Sequence, residues 1–552
     1  MAAPVRINFL GGVGEIGRNC AAIENNGEIL VVDCGLMFPN SQMPGVDLVL
    51  PDFTYLRENK DKIVAIVITH GHEDHAGALA YLLRDIQTKI YGSATTLALA
   101  QSRIEEAGLL DQAEFHVVND RDVVEIGNFK VEFIPMTHSV PNGFALAIHT
   151  SQGLLFHTGD FKIDLSPIDG RSSDVPRIRA LAENPGIRLL FSDSTNAEEQ
   201  GHTKSESEVG KYLLELFSKR AGRRIIVACF ASHIHRIQQI IWASEANGRR
   251  VATLGRSMAR NVALAQEMKL LTVKPGTLIA IEDIDDYEPG ELCVLSTGSQ
   301  GEPLSALALL SENENKWLAV DDNDVIIMSS HVIPGNESNV YSVIDGLYRH
   351  GAEVIYSEVA PVHSTGHAKR DELEEMIRTT HPDFFIPVHG EYRHLVQHRL
   401  LAIENGLQPN TAIVAEDGDV FELSDHDLKQ VDTVPAGYVY VDGLTDDLTH
   451  GVLRDRQVLS EEGVVIVVVT IDRQTGKLAA RPEVITRGWI YAQEADELLE
   501  EARQVVRAKL EASLHAHPDV DVVRQDMRRA LGKFVNERTR RRPMIVPIVM
   551  EA

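Results

Sequence analysis

The chain reads as an α/β protein of several domains, and three patterns predict it. Its first two hundred residues alternate short apolar strands with helices. From about Lys204 the alternation becomes a regular strand–helix–strand series, which specifies an open parallel sheet with helices on both faces. Residues 463–552 then combine apolar strands with two long helical stretches, a third and smaller α/β unit. At 552 residues the chain is also too long for one core.

The elements follow in order. A strand over Ile7–Leu10 runs into the glycine-rich loop Gly11–Gly17, which lacks the lysine and the following helix of a nucleotide cradle. Cys20–Ile23 and Ile29–Val32 form a hairpin around Asn25-Asn26-Gly27. The uninterrupted apolar run Ile63–Ile68 is a buried strand, and helices follow at Ala76–Arg84 and Thr95–Ala107. Strands Val131–Pro135 and Phe144–Ile148 flank Thr137-His138-Ser139, and strand Leu154–His157 ends at Thr158-Gly159-Asp160. The regular block comprises helix Glu206–Lys219, strand Arg224–Cys229, helix Ile234–Ala246, strand Val251–Leu254 and helix Met258–Met268. Strands Cys293–Ser296 and Val325–Met328, helix Val340–Arg349 and strand Glu353–Ser357 complete it. A return segment, 362–447, precedes the polar, Asp-rich stretch Leu444–Ser460, which reads as a linker. The final unit has strands Gly463–Asp472 and Lys477–Pro482, helices Glu494–Leu514 and Val522–Thr539, and strand Met544–Val549. The expected division is therefore 1–204 and 362–447 as one discontinuous domain, 205–361 inserted in it, 448–462 as linker and 463–552 as the C-terminal domain.

Composition narrows the function classes. Hydrophobic residues at 44% and charged residues at 24% are ordinary for a soluble protein. The N-terminus has no signal-peptide pattern, and the most apolar stretch, Val464–Val469, is too short to span a bilayer, so no membrane partner is expected. Cys20, Cys34, Cys229 and Cys293 show no paired spacing and suit a reducing compartment, hence a cytoplasmic location. A net charge of −28 argues against a protein that coats nucleic acid, though not against an enzyme that grips it in a few basic pockets. Arg249-Arg250, Arg256–Arg260 and the segment Arg524–Arg542 are the candidate basic patches.

The chemistry concentrates in Thr69-His70-Gly71-His72-Glu73-Asp74-His75. A strand ending at Ile68 projects these side chains into one small volume, where three imidazoles and a carboxylate call for a cation among them. Two cations can share such a cluster if other groups help. His138 and Asp160 stand at later strand ends, and Asp160, with two oxygens, suits a bridge. His70, His72 and His138 would hold one metal. Asp74, His75, Asp160 and His389, the last in Pro387-Val388-His389-Gly390, would hold the other. Asp33, closing the strand Ile29–Val32, suits an acceptor that orients a ligand histidine. Imidazole and carboxylate without thiolate accept zinc, manganese or iron.

The series Asp33, His70-x-His72-x-Asp74-His75, His138, Asp160 resembles the metallo-β-lactamase superfamily, whose fold is an αβ/βα sandwich. Ser192-Asp193-Ser194-Thr195, His363-Ser364-Thr365-Gly366-His367-Ala368 and His389 narrow the resemblance to β-CASP nucleases, with 205–361 as the inserted β-CASP domain. Strings at Gly11–Asn19, Ser232–Gln239, Gly255–Asn261, Ser296–Glu302, Ser329–Glu337, Pro387–His394 and Arg540–Pro547 are similar to the ribonuclease J family over residues 5–552. Two positions depart from it: Thr365 stands where the family usually has Ser, and His233 where it often has Asn.

The resemblance implies a ribonuclease acting 5′ to 3′ from monophosphorylated ends, with some endonuclease action, in RNA decay and in rRNA and mRNA maturation. It implies two divalent metals, zinc first and manganese as rival, that activate a hydroxide for in-line attack on phosphorus. His367 would stabilise the departing group or the transition-state oxygens, Asp193 would orient His367 or a metal ligand, and Asp160 would take part as the bridge. Ser232, His233, Ile234, His363, Ser364, Thr365, Gly366, His367 and Ala368 would bind the substrate's terminal phosphate and its neighbourhood. Single-stranded RNA is the expected partner, with a homodimer or tetramer of the chain and other RNA-decay proteins beside it. Four other readings compete: a thioester or lactam hydrolase, an oxygen-reducing di-iron enzyme with a flavodoxin-like module, a non-catalytic scaffold, and a β-CASP nuclease directed at DNA.

Overall fold

The computed structural model describes residues 3–40, 42–333, 335–443, 445–490, 495–513 and 519–552, and they divide into two units. One contains residues 1–38 and 49–439, the other 39–48 and 440–552.

In the first unit two sheets face each other. The larger has eight strands in the spatial order 428–433, 419–423, 5–11, 20–25, 28–32, 63–67, 88–92, 113–117. Its early pairings are antiparallel, and from Glu28–Val32 onward they are parallel. The second has six strands, ordered 384–388, 187–193, 153–157, 143–150, 129–136, 123–126. Phe9, Val32 and Val67 from the first sheet meet Phe133, Leu146, Phe191 and Ile386 from the second in one buried core. Helices Val175–Glu183, Arg370–Thr380 and Tyr392–Glu404 cover the other face of the six-stranded sheet through Ile178, Leu181, Leu373, Met376, Ile377 and Leu401. This is the αβ/βα sandwich.

Between strands Ile187–Asp193 and Phe384–Val388 the chain builds a third sheet of six strands, all parallel, ordered 278–279, 250–254, 292–296, 224–228, 324–328, 353–355. Leu292–Ser296 and Asp324–Met328 are buried at every position, because separate cores cover the two faces of the sheet. The unbroken apolar runs of the sequence have this origin. Arg249 belongs to this buried architecture too. Its guanidinium donates to the carbonyls of Arg223, Leu292 and Arg220, so it forms no basic surface patch with Arg250.

The second unit has a three-stranded sheet ordered 483–487, 464–471, 544–551. Alternate burial along Val464–Ile471 places Val465, Val467, Val469 and Ile471 inward, against Ala502, Val506 and Leu510 of one helix and Val523, Met527, Leu531 and Val535 of another. Those spacings of four put each set on one helical face.

Several sequence expectations are corrected. The stretch expected as linker 448–462 is largely a helix, His450–Glu462. Polar composition masked the helix, which buries Leu453 and is tied down by Arg456, paired with Asp442 and donating to the Gly45 carbonyl. Ala76–Arg84 is not one helix: Glu73–Ala76 and Leu79–Leu82 are separate turns, interrupted around Gly77-Ala78. The strand expected over Lys477–Pro482 lies instead at Glu483–Arg487, after the proline, whose missing N–H would break a ladder. Glu494 and Leu514, the expected ends of one helix, and Leu444 lie outside the described residues; the helix is described over Ala495–Ser513. No described helix is long and apolar enough to cross a membrane.

Candidate metal centre

The strand Ile63–Val67 pairs in parallel on both sides, so its C-terminal end opens beside those of its neighbours, where the sheet's polar crevice lies. His70 through His75 emerge there. His138 follows strand Phe129–Met136, Asp160 follows Gly153–His157, Asp193 ends Ile187–Asp193, and His389 follows Phe384–Val388. Every candidate sits at the C-terminal end of a strand, which is why residues so far apart in sequence meet.

They meet in three overlapping groups, each with ligand atoms within 4.8 Å of one another. The first is His70, His72, His138 and Asp160; the second Asp74, His75, Asp160 and His389; the third Asp160, Asp193, His367 and His389. His72 Nδ1 is 3.1 Å from both His70 Nε2 and His138 Nε2. His389 Nε2 is 3.2 Å from Asp74 Oδ2, and His75 Nε2 is 3.2 Å from Asp160 Oδ2. Asp160 belongs to all three groups. Its buried Oδ2 makes no well-aligned hydrogen bond among the described residues, yet lies 3.2 Å from His75 Nε2, 3.6 Å from His70 Nε2 and 3.9 Å from His138 Nε2. A buried carboxylate oxygen without a donor is costly unless a cation faces it.

The far sides of the rings are fixed. His75 Nδ1 donates to Asp33 Oδ2 at 2.8 Å and His138 Nδ1 to the Gly366 carbonyl at 2.7 Å, leaving each Nε2 free to ligate. Asp33 has a φ of 60°, a left-handed conformation, and is held there by the Val67 carbonyl behind it and by the Thr69 amide and hydroxyl. His389, at φ 53°, is likewise pinned: its amide donates to the Gly12 carbonyl and its Nδ1 lies 3.0 Å from Thr195 Oγ1. Gly35 lets the chain pass so close that a Cβ there would sit 1.6 Å from the Asp74 carbonyl.

Electrostatics separate the histidines. Burial, then the neighbouring His75, His138 and His72, hold His70 well below the usual imidazole range, and burial holds His138 there too. Burial also brings His72 down to about 4, so these three rings present neutral lone pairs. At His75 burial opposes charge, but Asp160, Asp74 and Asp33 outweigh it and raise the ring well above its ordinary value. His389 is pushed up to about 10, with Asp160 overcoming burial. These two rings carry protons that a cation would displace, because metal binding competes with protonation. The donor set, its geometry and the orphaned Asp160 oxygen therefore fit divalent metals.

Beside the clusters, His367 Nδ1 donates to Asp193 Oδ2 at 2.8 Å. Asp193 Oδ1 also lies 3.5 Å from His389 Nδ1, so one carboxylate touches both rings. The other expected substrate residues gather at the start of helix Ile234–Ala246 and in 363–368. The His233 and His363 ring centres are 6.5 Å apart, and Ser364 Oγ accepts from Lys162 at 3.4 Å while donating to the Lys204 carbonyl. Thr365 Oγ1 accepts from the Asn196 amide, and Ala368 is buried in the sandwich core. Sequence reasoning missed Thr69, Thr195, Asn19 and Lys162. Asn19 Nδ2 donates to the Asp74 carbonyl. These are common residues with no spacing signal; only their place beside strand ends could have suggested them.

Known proteins resemble the chain throughout. Residues 13–188 match the metallo-beta-lactamase superfamily, 222–347 the ribonuclease J beta-CASP domain, 352–413 a Zn-dependent metallo-hydrolase RNA specificity domain and 451–552 the ribonuclease J C-terminal domain. Ribonuclease J2 of Bacillus subtilis is 38% identical over 99% of this chain and 98% of its own length. Ribonuclease J of Mycolicibacterium smegmatis is 41% identical over 99% and 97%, and that of Thermus thermophilus 40% identical over 99% and 95%. A crystal structure of an Enterococcus faecalis protein of unknown function shares the fold, with a TM-score of 0.53 at 16% identity over 76% of this chain and all of that one.

Proposed function

The chain belongs to the ribonuclease J family and is a metal-dependent ribonuclease, and from that premise we propose that it degrades single-stranded RNA 5′ to 3′ from monophosphorylated ends, with some internal cleavage, in RNA decay and in rRNA and mRNA maturation. The single observation that supports the chemistry best is Asp160, a buried carboxylate shared by all three clusters, whose Oδ2 faces the Nε2 atoms of His75, His70 and His138 at 3.2, 3.6 and 3.9 Å. His70, His72, His138 and Asp160 would hold one cation, and Asp74, His75, Asp160 and His389 a second; the nitrogen-and-oxygen set accepts zinc, manganese or iron, and the likeness to a Zn-dependent metallo-hydrolase domain favours zinc, with manganese its rival. Such a pair, when bound, supplies an acidified water and positive charge beside the phosphoryl oxygens.

The chain's own residues do the rest. Asp193 fixes the tautomer of His367 by accepting from Nδ1, which leaves Nε2 to hold a proton for the departing oxygen. At His367 burial opposes charge, but Asp193 and Asp160 raise the ring above its ordinary value, which favours the protonated form. Ser364, Thr365 and the start of helix Ile234–Ala246, with Ser232, His233 and Ile234, would receive the terminal phosphate through hydroxyls and backbone amides.

The scaffold and di-iron readings lose ground: no ligand is missing, and the second unit's three-stranded sheet is not a flavodoxin-like module. The deciding experiment presents 5′-monophosphate and 5′-triphosphate RNAs, and a DNA control, to the purified protein with zinc or manganese. Mononucleotide release from the monophosphate RNA alone supports the reading. Cleavage of DNA in preference to RNA refutes it.

A further inference from the structure

The basic segment Arg524–Arg542 plays no part in the metal centre. In the second unit it borders a cleft of about 730 Å³ between helices His450–Glu462 and Val520–Thr539, floored by the start of strand Met544–Glu551. Arg454 projects from the first helix, Arg528 and Lys533 from the second, and Arg542 from the segment before the strand; among the described residues Asp455 is the one acidic residue lining it. All four cations are exposed. Lys533 has a loose partner in Glu537 at 3.8 Å, and the backbone amide of Arg542 donates to Glu462. Among the described residues the guanidinium groups of Arg454, Arg528 and Arg542 have no ion pair. Many other arginines of the unit do: Arg456 with Asp442, Arg503 with Glu500, Arg507 with Glu511, Arg538 with Glu501.

A chain of net charge −28 that converges four cations on one cleft, with their charges largely uncompensated, has built a local anion site against its overall field. The floor is aliphatic, with Val458, Ile545 and Val546, and among the described residues no aromatic ring lines the cleft. Bases therefore have nothing to stack on, and what the walls offer is charge at spacings suited to a chain of phosphates. We propose that this cleft is a second RNA-binding site, which grips the sugar–phosphate backbone of single-stranded RNA without regard to sequence. The inference rests on the ribonuclease reading. It makes substrate affinity depend on the C-terminal unit while leaving bond cleavage to the metal centre.

The test uses the full-length chain and its triple variant R454Q/R528Q/R542Q. Binding of a labelled single-stranded RNA of about 30 nucleotides is measured in EDTA across a salt series. Loss of three phosphate contacts should lower the salt slope by about 2 and weaken binding at least roughly tenfold at moderate salt. Hydrolysis of a small chromogenic phosphodiester, which reads the metal centre alone, should not change. R454K/R528K/R542K should bind within a few-fold of wild type, which separates lost charge from lost fold. Equal RNA affinity in the Gln variant and wild type overturns the inference, as does a fall in solution mass accompanying the loss, which would assign the face to a second copy of the chain. Binding without RNA cleavage by the wild type would instead fault the ribonuclease reading, leaving this site standing.

Discussion

Replacing Gly366 by Ala probes the metal centre without removing any ligand. A Cβ at this position would lie 2.5 Å from His138 Cε1, 2.7 Å from its Nδ1 and 3.0 Å from Ser139 Oγ. The backbone there is not in the left-handed region, so the strain is one of contact alone. Restoring an ordinary contact of 3.4 Å requires the ring to retreat by about 0.9 Å, the difference between 3.4 and 2.5. That retreat pulls Nδ1 off the Gly366 carbonyl and moves Nε2 away from its 3.1 Å approach to His72. A misplacement near 1 Å in a reacting constellation costs on the order of 100-fold in rate, about 2.7 kcal/mol. Turnover on 5′-monophosphate RNA and metal per chain by elemental analysis read the two consequences, while a thermal melt checks the fold. Activity within about threefold of wild type at unchanged metal content would refute the claim that His138 must sit where it does.

Other predictions follow from the same geometry. Asp160→Asn removes the charge shared by the clusters, so metal content should fall together with turnover; full metal content would remove Asp160 from the ligand set. His367→Ala should depress turnover far more than metal content, since His367 rests on Asp193 at one edge of the clusters, and equal loss of both would make it a ligand. Asp417→Asn tests a buried cluster far from the metals in sequence. Burial and the charge of Glu15 push Asp417 up to about 8, against Arg18, which bonds both carboxylates. An unfolded Asp ionises near 3.9, so between roughly pH 4 and 8 the native state holds a proton that the unfolded state has released, and stability falls as pH rises across that window. Asn keeps an acceptor for the Val13 amide and never ionises, so its melting temperature should vary less over the window; identical slopes would contradict the assignment.

Much of this candidate site could be read in the sequence because its residues obey one rule: the candidate ligand histidines and carboxylates follow apolar runs. His70–His75, His138, Asp160 and His389 were each legible as strand-end residues, and parallel pairing brings those ends together. Of the groups that aim them, Asp33 was legible, and it does accept from His75 Nδ1; the others were not legible in that role. Thr69 and Thr195 act through single hydroxyls, and Gly366 acts by lacking a side chain and offering a carbonyl. None of these leaves a periodic trace. The second unit was least legible, because helix His450–Glu462 hides behind a polar composition and residues 39–48 join it from four hundred positions away. Its cleft depends on which arginines lack a carboxylate, and that is decided only in three dimensions.

The most direct test is anomalous diffraction from crystals equilibrated with zinc or manganese. Two peaks about 3.5–4 Å apart, both in contact with Asp160, are the expected result. One peak, or none within reach of Asp160 while His70, His75 and His389 keep their places, would contradict it.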